Sequence, residues 1–293
     1  MSEPNIAQDL IRILDLEQID VNLFRGEHET VVHSRLFGGQ VLAQSLAAAD
    51  KTVPQDRLCH SLHGYFLRPG RSDIAVVYRV ERIRDGQSFT TRRIVAIQNG
   101  EAIFSMDASF QMLETGLEHQ INLGDIPDPD DLEDDAAVAR RAGNSASHRD
   151  TRERPFDLRS VNQNIQTQKN LLENPIWMRF KQQVPPGHQL QRHLLAYASD
   201  ISFVSTALIP HHHKVHRANI QMASLDHALW FHHEFDICDW FVYVKSSTNA
   251  GMARGYNRGS FYTRDGKLIA SSMQEGLMRL RQQTVNQEAD PAV

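Results

Sequence analysis

The sequence predicts an α+β fold built from two tandem copies of one unit, a helix followed by an antiparallel run of strands. Three observations carry this. The order of helix then strands recurs after an acidic interruption. Dipeptides suited to tight hairpins separate the strand-like runs. Setting Gly100 against Gly266 lays AIQNGEAIFSMDASF, at 96 to 110, over YTRDGKLIASSMQEG, at 262 to 276. A chain of 293 residues, 41% hydrophobic, is long enough for two such units with packed cores.

Along the chain, Ile6, Leu10, Ile13 and Leu14 share one face of a helix. A second helix is expected after Gly38-Gly39, with Val41, Leu42, Ser45, Leu46 and Ala49 on one side. The glycine pair suggests a close helix–sheet approach more than a phosphate loop. Strands are expected over 60–66, 74–84, 87–98 and 101–111. Asp85-Gly86 and Asn99-Gly100 accept the positive φ angles of hairpin turns, so the last three should run antiparallel. Residues 114–153 lack apolar periodicity and are dense in charge, which marks a connection. The expected division is therefore a unit over 1–113, an acidic linker over 114–153, and a second unit over 154–293. In the second unit a strand is expected at 176–180 and a helix over 193–208. Strands follow at 221–231, 240–247, 252–263 and 267–279, the last pair around Asp265-Gly266.

Bulk properties narrow the function classes. A formal net charge of −5 over this length gives no reason to expect a nucleic-acid partner or an acidic membrane. Two cysteines, Cys59 and Cys238, make neither a disulfide framework nor a metal cluster. No apolar run approaches the roughly 18 residues of a membrane helix. With no basic-then-apolar start and no Ser-Lys-Leu end, a cytoplasmic location is expected.

Several stretches resemble the type II acyl-CoA thioesterases of bacteria and peroxisomes. They are Leu23-Phe24-Arg25-Gly26, Phe37-Gly38-Gly39-Gln40, His63-Gly64-Tyr65-Phe66-Leu67-Arg68-Pro69-Gly70 and Tyr197-Ala198-Ser199-Asp200. Leu225-Asp226-His227, Trp230-Phe231-His232 and Gln274-Glu275-Gly276 complete the set. The resemblance implies a double hotdog fold, two sheets each wrapped around a long helix and paired as a pseudo-dimer. It implies hydrolysis of acyl-CoA thioesters, a place in fatty acid metabolism, and a site of Asp200, Ser224 and Gln274. Members often carry Thr where this chain has Ser224; the hydroxyl is kept. Acyl-CoA is the expected partner, with no cofactor and no metal, in a homo-oligomer, dimer or tetramer.

The chemistry suits these residues. Asp200, expected near a helix start, would be kept ionised by free amides and accept a proton. Ser224 and Gln274 supply hydrogen bonds that fix a water for attack. Taken singly, each residue has a blander reading, as a cap, a bonded hydroxyl or a strand amide; the joint match decides for function. A serine-hydrolase reading of Ser224, Asp200 and His227 is disfavoured, because no Gly-x-Ser-x-Gly elbow exists. Ser224 and His227, three apart on one strand, would also face opposite ways. His227 is then expected to pack or bond the backbone. His211, His212, His213 and His216 suit a surface loop better than a metal site. His232-His233-Glu234 lacks the second helical His of a zinc protease. Arg254, Arg258, Arg264 and Lys267 are candidates for the CoA phosphates, with solvated strand cations as the plainer reading. A hotdog hydratase is the rival within the fold, but Asp200 is followed by Ile201-Ser202-Phe203-Val204, without the hydratase His. A non-catalytic acyl-CoA-binding module is the rival from another class. Laying one half on the other puts Ser61 over Ser224 and Ala108 over Gln274. Asp200 then falls near Gly39 or Gln40, so one working site per chain is expected.

Overall fold

The computed structural model describes residues 5–29, 35–142, 154–162, 173–185, 189–215 and 219–281. The first helix, α1 (Ile6–Leu14), is capped by the Asn5 side chain, which accepts the Gln8 amide, and buries Ala7, Leu10, Ile13 and Leu14. A short hairpin, β1 (Glu17–Asp20) and β2 (Leu23–Gly26), follows around Asn22 in the left-handed region, φ 58°. Periodicity gave no sign of it, since four-residue strands are too short to show alternation.

The central helix of the first half, α2 (Gly38–Asp50), is buried on every side from Gly39 onward. Its small residues, Ala43 and Ala47 to Ala49, let neighbours approach from all directions. β3 (Arg57–Phe66), β4 (Val76–Asp85), β5 (Phe89–Gln98) and β6 (Glu101–Met112) form an antiparallel run. Asn99 and Gly100 take φ 50° and 80°, the angles of a two-residue hairpin turn. Asp85-Gly86 departs from the expected tight turn: the Gly86 amide donates to the Phe89 carbonyl across a wider loop.

Part of the acidic connection packs against the second half. Residues Pro129–Asp131 make a 3-10 turn and Asp135–Ala142 a helix, α3. Leu123, Ile126 and Leu132 cover a cluster of Trp177, Trp240, Val242 and Tyr262, and the Trp177 indole donates to Pro127 O at 2.8 Å. Arg264 binds Asp128 and Asp130.

The second half repeats the order with β7 (Phe156–Ser160), β8 (Glu173–Phe180), α4 (Gln189–Ser199), β9 (Ile220–Ser224), β10 (Asp226–Phe231), β11 (Phe241–Gly251), β12 (Arg254–Thr263) and β13 (Leu268–Leu280). The helix expected to reach residue 208 stops at Ser199. Ser202 turns left-handed, φ 57°, and a 3-10 segment, Val204–His211, continues with Pro210 inside it. The strand expected over 221–231 breaks at Leu225. Ser224 pairs with Gly276 and Ala228 with Met273, so β9 and β10 carry one extra residue against β13, a bulge.

Strands run in the order β1-β2-β4-β5-β6-β3-β10-β13-β12-β11-β8-β7, with β9 beside β13. This is the α+β double hotdog arrangement. One point differs from the expectation of a separate sheet for each helix. β3 and β10 hydrogen-bond across the seam, Gly64 to His227 and Leu62 to Leu229, so one continuous sheet wraps both helices. Inside it the start of α2 meets the end of α4: a Cβ on Gly39 would lie 2.5 Å from Tyr197 O. Gly39 thus serves a helix–helix contact, while Gly38, against the Phe66 ring of β3, makes the helix–sheet approach that was expected.

Candidate active site

Asp200 directly follows the last residue of α4 and is buried, 8% exposed. The expectation that it sits near a helix start is overturned. The carbonyl end of its own helix disfavours a carboxylate; the amide that supports it belongs to Gly39, at the start of α2. Gly38 closes over the same carboxylate, since a Cβ there would stand 2.7 Å from Asp200 Oδ2. Burial raises the Asp200 pKa from 3.8 to about 6, against the downward pull of Gln274, Gly39 and the charge of Arg154. The group is therefore poised between acid and base near neutrality, where the sequence reading had it firmly ionised.

Gln274, on the inner face of β13, is fully buried. Its Nε2 donates to Asp200 Oδ1 at 2.8 Å and to His227 Nδ1 at 3.0 Å. Both amide protons are thereby engaged, while Oε1 is buried with no partner among the described residues.

His227 was expected to pack or bond the backbone; it bonds side chains. With Nδ1 accepting from Gln274, Nε2 carries the proton and donates to Ser199 Oγ at 2.9 Å, and Ser199 Oγ donates to Ala196 O. Burial, with a smaller effect of His63, lowers its pKa from 6.5 to about 3. It is a neutral imidazole, so its 3.8 Å approach to Asp200 is not an ion pair.

Ser224 ends β9 opposite Gly276, two residues along β13 from Gln274 and on the same inner face. Val204 lies over that position. The bulge at Leu225 puts Ser224 and His227 on one face, so the alternation argument against a Ser–His pair does not hold. A better reason replaces it: both His227 nitrogens are occupied by Gln274 and Ser199. Asp226 holds the bulge, accepting the Glu275 amide at 2.6 Å and pairing with His63 at 3.1 Å.

The structure thus brings Asp200 and Gln274 into contact and sets Ser224 on the next strand of the same face, without a hydrogen bond to either. His227 was missed as a partner because its role depends on the bulge, although Leu225-Asp226-His227 was visible as a motif.

The first half also departs from expectation. Asp50 ends α2 as Asp200 follows α4, and is buried, so a carboxylate is present there after all. It is held by His193 of α4. The strand order places Cys59, opposite Phe110, where Ser224 stands opposite Gly276. Ala108 remains where Gln274 stands.

Of the basic candidates, Arg264 is engaged by Asp128 and Asp130, Arg254 binds Glu275, and Arg258 donates to Ser246 Oγ. His211 to His213 lie at the end of the 3-10 segment, with His212 bonded to Ile209 O; His216 lies outside the described residues. Among the described residues no group of three His, Cys, Asp or Glu could hold a metal ion, and no helix is long and apolar enough to cross a membrane.

Two family models match: "Acyl-CoA thioesterase N-terminal domain" over residues 28–111 and "Acyl-CoA thioesterase" over residues 145–277. The chain is 37% identical over 94% of its length to acyl-CoA thioesterase 2 of Haemophilus influenzae, covering 98% of it. It is 40% identical to acyl-coenzyme A thioesterase 8 of Mus musculus, over 92% of this chain and 89% of that one. A crystal structure of an acyl-CoA thioesterase II, TesB2, from Mycobacterium marinum superposes with a TM-score of 0.78 at 40% identity, over 92% and 98% of the two chains.

Proposed function

Because this chain belongs to the acyl-CoA thioesterase family, we propose that it hydrolyses acyl-CoA esters by direct attack of a water held by Asp200, Gln274 and Ser224. The observation that carries this is the buried contact of Asp200 with Gln274, which leaves Gln274 Oε1 without a partner among the described residues. The water donates one hydrogen bond to Asp200 and the other to Gln274 Oε1. Ser224, whose hydroxyl faces the same side, donates to the water oxygen. A lone pair then attacks the thioester carbonyl carbon as Asp200 takes the proton. The oxyanion that forms is stabilised by the amide end of α2, which already faces the Asp200 carboxylate. The C–S bond breaks, Asp200 returns its proton to the departing sulfur, and free acid and CoA thiol leave.

The other residues set up this arrangement. His227, neutral and fixed by Ser199, fixes the orientation of the Gln274 amide so that its oxygen faces the water. The first half offers Asp50 without an amide at Ala108, and His193 occupies the carboxylate. It acts as scaffold and lends the α2 amides, so each chain has one site. The cytoplasm, a homo-oligomeric state and independence of metal complete the proposal.

The test is thiol release from a panel of acyl-CoA esters by the wild-type protein and by Asp200→Asn and Gln274→Ala. Loss of turnover in both variants, on the order of 10²-fold or more for Asp200→Asn, is expected. Hydrolysis at the parent rate by both would refute the site.

A further inference from the structure

The carbonyl just before Asp200 is met by a side chain from a distant strand. Tyr243, on the inner face of β11, donates its hydroxyl to Ser199 O at 3.0 Å, and Ser272 Oγ lies 2.8 Å from the same hydroxyl. A carbonyl only accepts, so the tyrosine proton goes to Ser199 O and Ser272 donates to the phenol oxygen. Ser272 lies two residues before Gln274 on β13, on the same inner face. Tyr243 therefore ties the end of α4, which carries Asp200, to the strand that carries Gln274. His227 makes a second tie between the same two elements, from Ser199 Oγ to Gln274. A helix end held at one point can swing; held at two points of one strand, it cannot. On the far side of Asp200, the buried Lys245 ammonium stands 3.4 Å from Ile201 O.

The surroundings make room for this tie. A Cβ on Gly259 would collide with the Tyr243 ring, which also stacks on Phe261 with centroids 3.9 Å apart. The first half supplies the comparison. The strand registers set Tyr78 of β4 at the position of Tyr243, and Val80, Ile94 and Met106 where Lys245, Gly259 and Ser272 stand. Those three are buried apolar side chains. Tyr78 donates instead to Gln44 Oε1, in the middle of α2. Ala49 O, the carbonyl just before Asp50, is met locally by the amide and hydroxyl of Thr52. A helix end in this fold is thus satisfied without a distant tyrosine. Among the described residues, the polar set stands in the half where a buried carboxylate meets an amide.

We propose that Tyr243, seated over Gly259 and joined by Ser272, is the positioning residue that sets the spacing of Asp200 from Gln274. The inference rests on the assignment of Asp200 and Gln274 to the water. Tyr243 touches no reacting atom; it holds the carboxylate where the Gly39 amide and Gln274 reach it. A misplacement of about 1 Å at a reacting group costs on the order of 10²-fold in rate. Those two bonds also pull the Asp200 pKa down against burial, so loosening them lifts it above its present value of about 6. The other titratable groups around the carboxylate lie well away from that value. His227 is at about 3, burial lowers Lys245 to about 8, and burial holds the Tyr243 hydroxyl well above its ordinary 10. Arg154, whose charge also reaches Asp200, stays a cation as guanidinium groups do.

The experiment measures kcat, KM and the pH midpoint of kcat/KM with the acyl-CoA ester that the wild type turns over fastest. It compares the wild type, Tyr243→Phe, Ser272→Ala and, as control, Tyr78→Phe, which removes the equivalent hydroxyl from the first half. Tyr243→Phe should lower kcat about tenfold or more, leave KM within about twofold, and raise the midpoint. Ser272→Ala should move kcat and the midpoint in the same directions by less. Tyr78→Phe should lower the melting temperature and leave kcat and the midpoint at wild-type values. A folded Tyr243→Phe with wild-type kcat and midpoint overturns the inference. So does a loss of kcat that Tyr78→Phe matches, with no movement of the midpoint. If Tyr243→Phe does not fold, Ser272→Ala decides: wild-type values there overturn the inference. Any of these results, with Asp200→Asn still inactive, leaves the water site standing. Full activity of Asp200→Asn would remove that site and this inference with it.

Discussion

Replacing Asp200 by Asn should trade activity for stability, and the trade should depend on pH in a calculable way. The folded protein raises this carboxyl from 3.8 to about 6 because burial penalises its charge. A group whose folded pKa lies above its unfolded one binds protons more tightly in the folded state. Wild-type stability from this group is therefore greatest below the unfolded value and falls as pH rises through the folded value. Two units at about 1.4 kcal/mol each give a loss of about 3 kcal/mol by pH 8, of which roughly half falls above pH 5. Asn carries no charge and escapes this loss. Asn has one acceptor oxygen where the carboxylate has two, however, so with that oxygen kept on Gln274 Nε2 the bond from the Gly39 amide is lost. That lost bond is independent of pH and shifts the whole curve by about 1 kcal/mol. The difference in unfolding free energy, variant minus wild type, should therefore climb by about 1–2 kcal/mol from pH 5 to pH 8. Denaturant melts at four or five pH values measure it directly. Over the same range kcat/KM of the wild type should rise to a plateau with a midpoint near 6, as the base ionises. A stability difference flat with pH would show that the carboxylate is not desolvated. A rate independent of pH through this window would show that it is not the base.

Other outcomes follow from neighbouring contacts. Gly39→Ala should cost about 1–3 kcal/mol and reduce turnover, because the new methyl meets Tyr197 O and the Phe37 ring; melting and activity unchanged from wild type would contradict this packing. Ser224→Thr should remain active and Ser224→Ala should keep residual activity, with no acyl adduct on Ser224 by mass spectrometry of enzyme quenched during turnover; an adduct would replace direct water attack with a covalent route. The imidazole of His227, held neutral with a pKa of about 3, should keep the 15N shifts of a neutral ring from pH 5 to pH 8, with only a small change that tracks Asp200 near pH 6; the large shift of ring protonation in that range would undo its assignment as a fixed acceptor for Gln274. Prolonged chelation should leave the rate unchanged; a loss restored by zinc would point back to His211, His212 and His213.

Much of the fold is local information and was legible in the chain. Hairpin chemistry at Asn99-Gly100 and alternation in the long strands follow from φ angles and the two-residue period of a strand, which need no distant partner. The doubling was visible for the same reason, as a recurrence of those local patterns. Asp200, Ser224 and Gln274 could be singled out by motif, but their environment could not. A helix end is set by which contacts compete for the chain, and only the packed structure puts Asp200 after α4 and turns the amide end of α2 toward it. The single extra residue at Leu225 reverses the facing of everything beyond it, so alternation counted along the sequence misplaced His227. Burial, which lifts the Asp200 pKa, is a property of the surroundings supplied by strands far apart in the chain. The sequence alone thus determined the long strands, their doubling and the motifs that single out Asp200, Ser224 and Gln274 as candidates. The tertiary structure decided which amides, charges and faces those residues meet, because desolvation and hydrogen bonding arise only between groups that folding brings together.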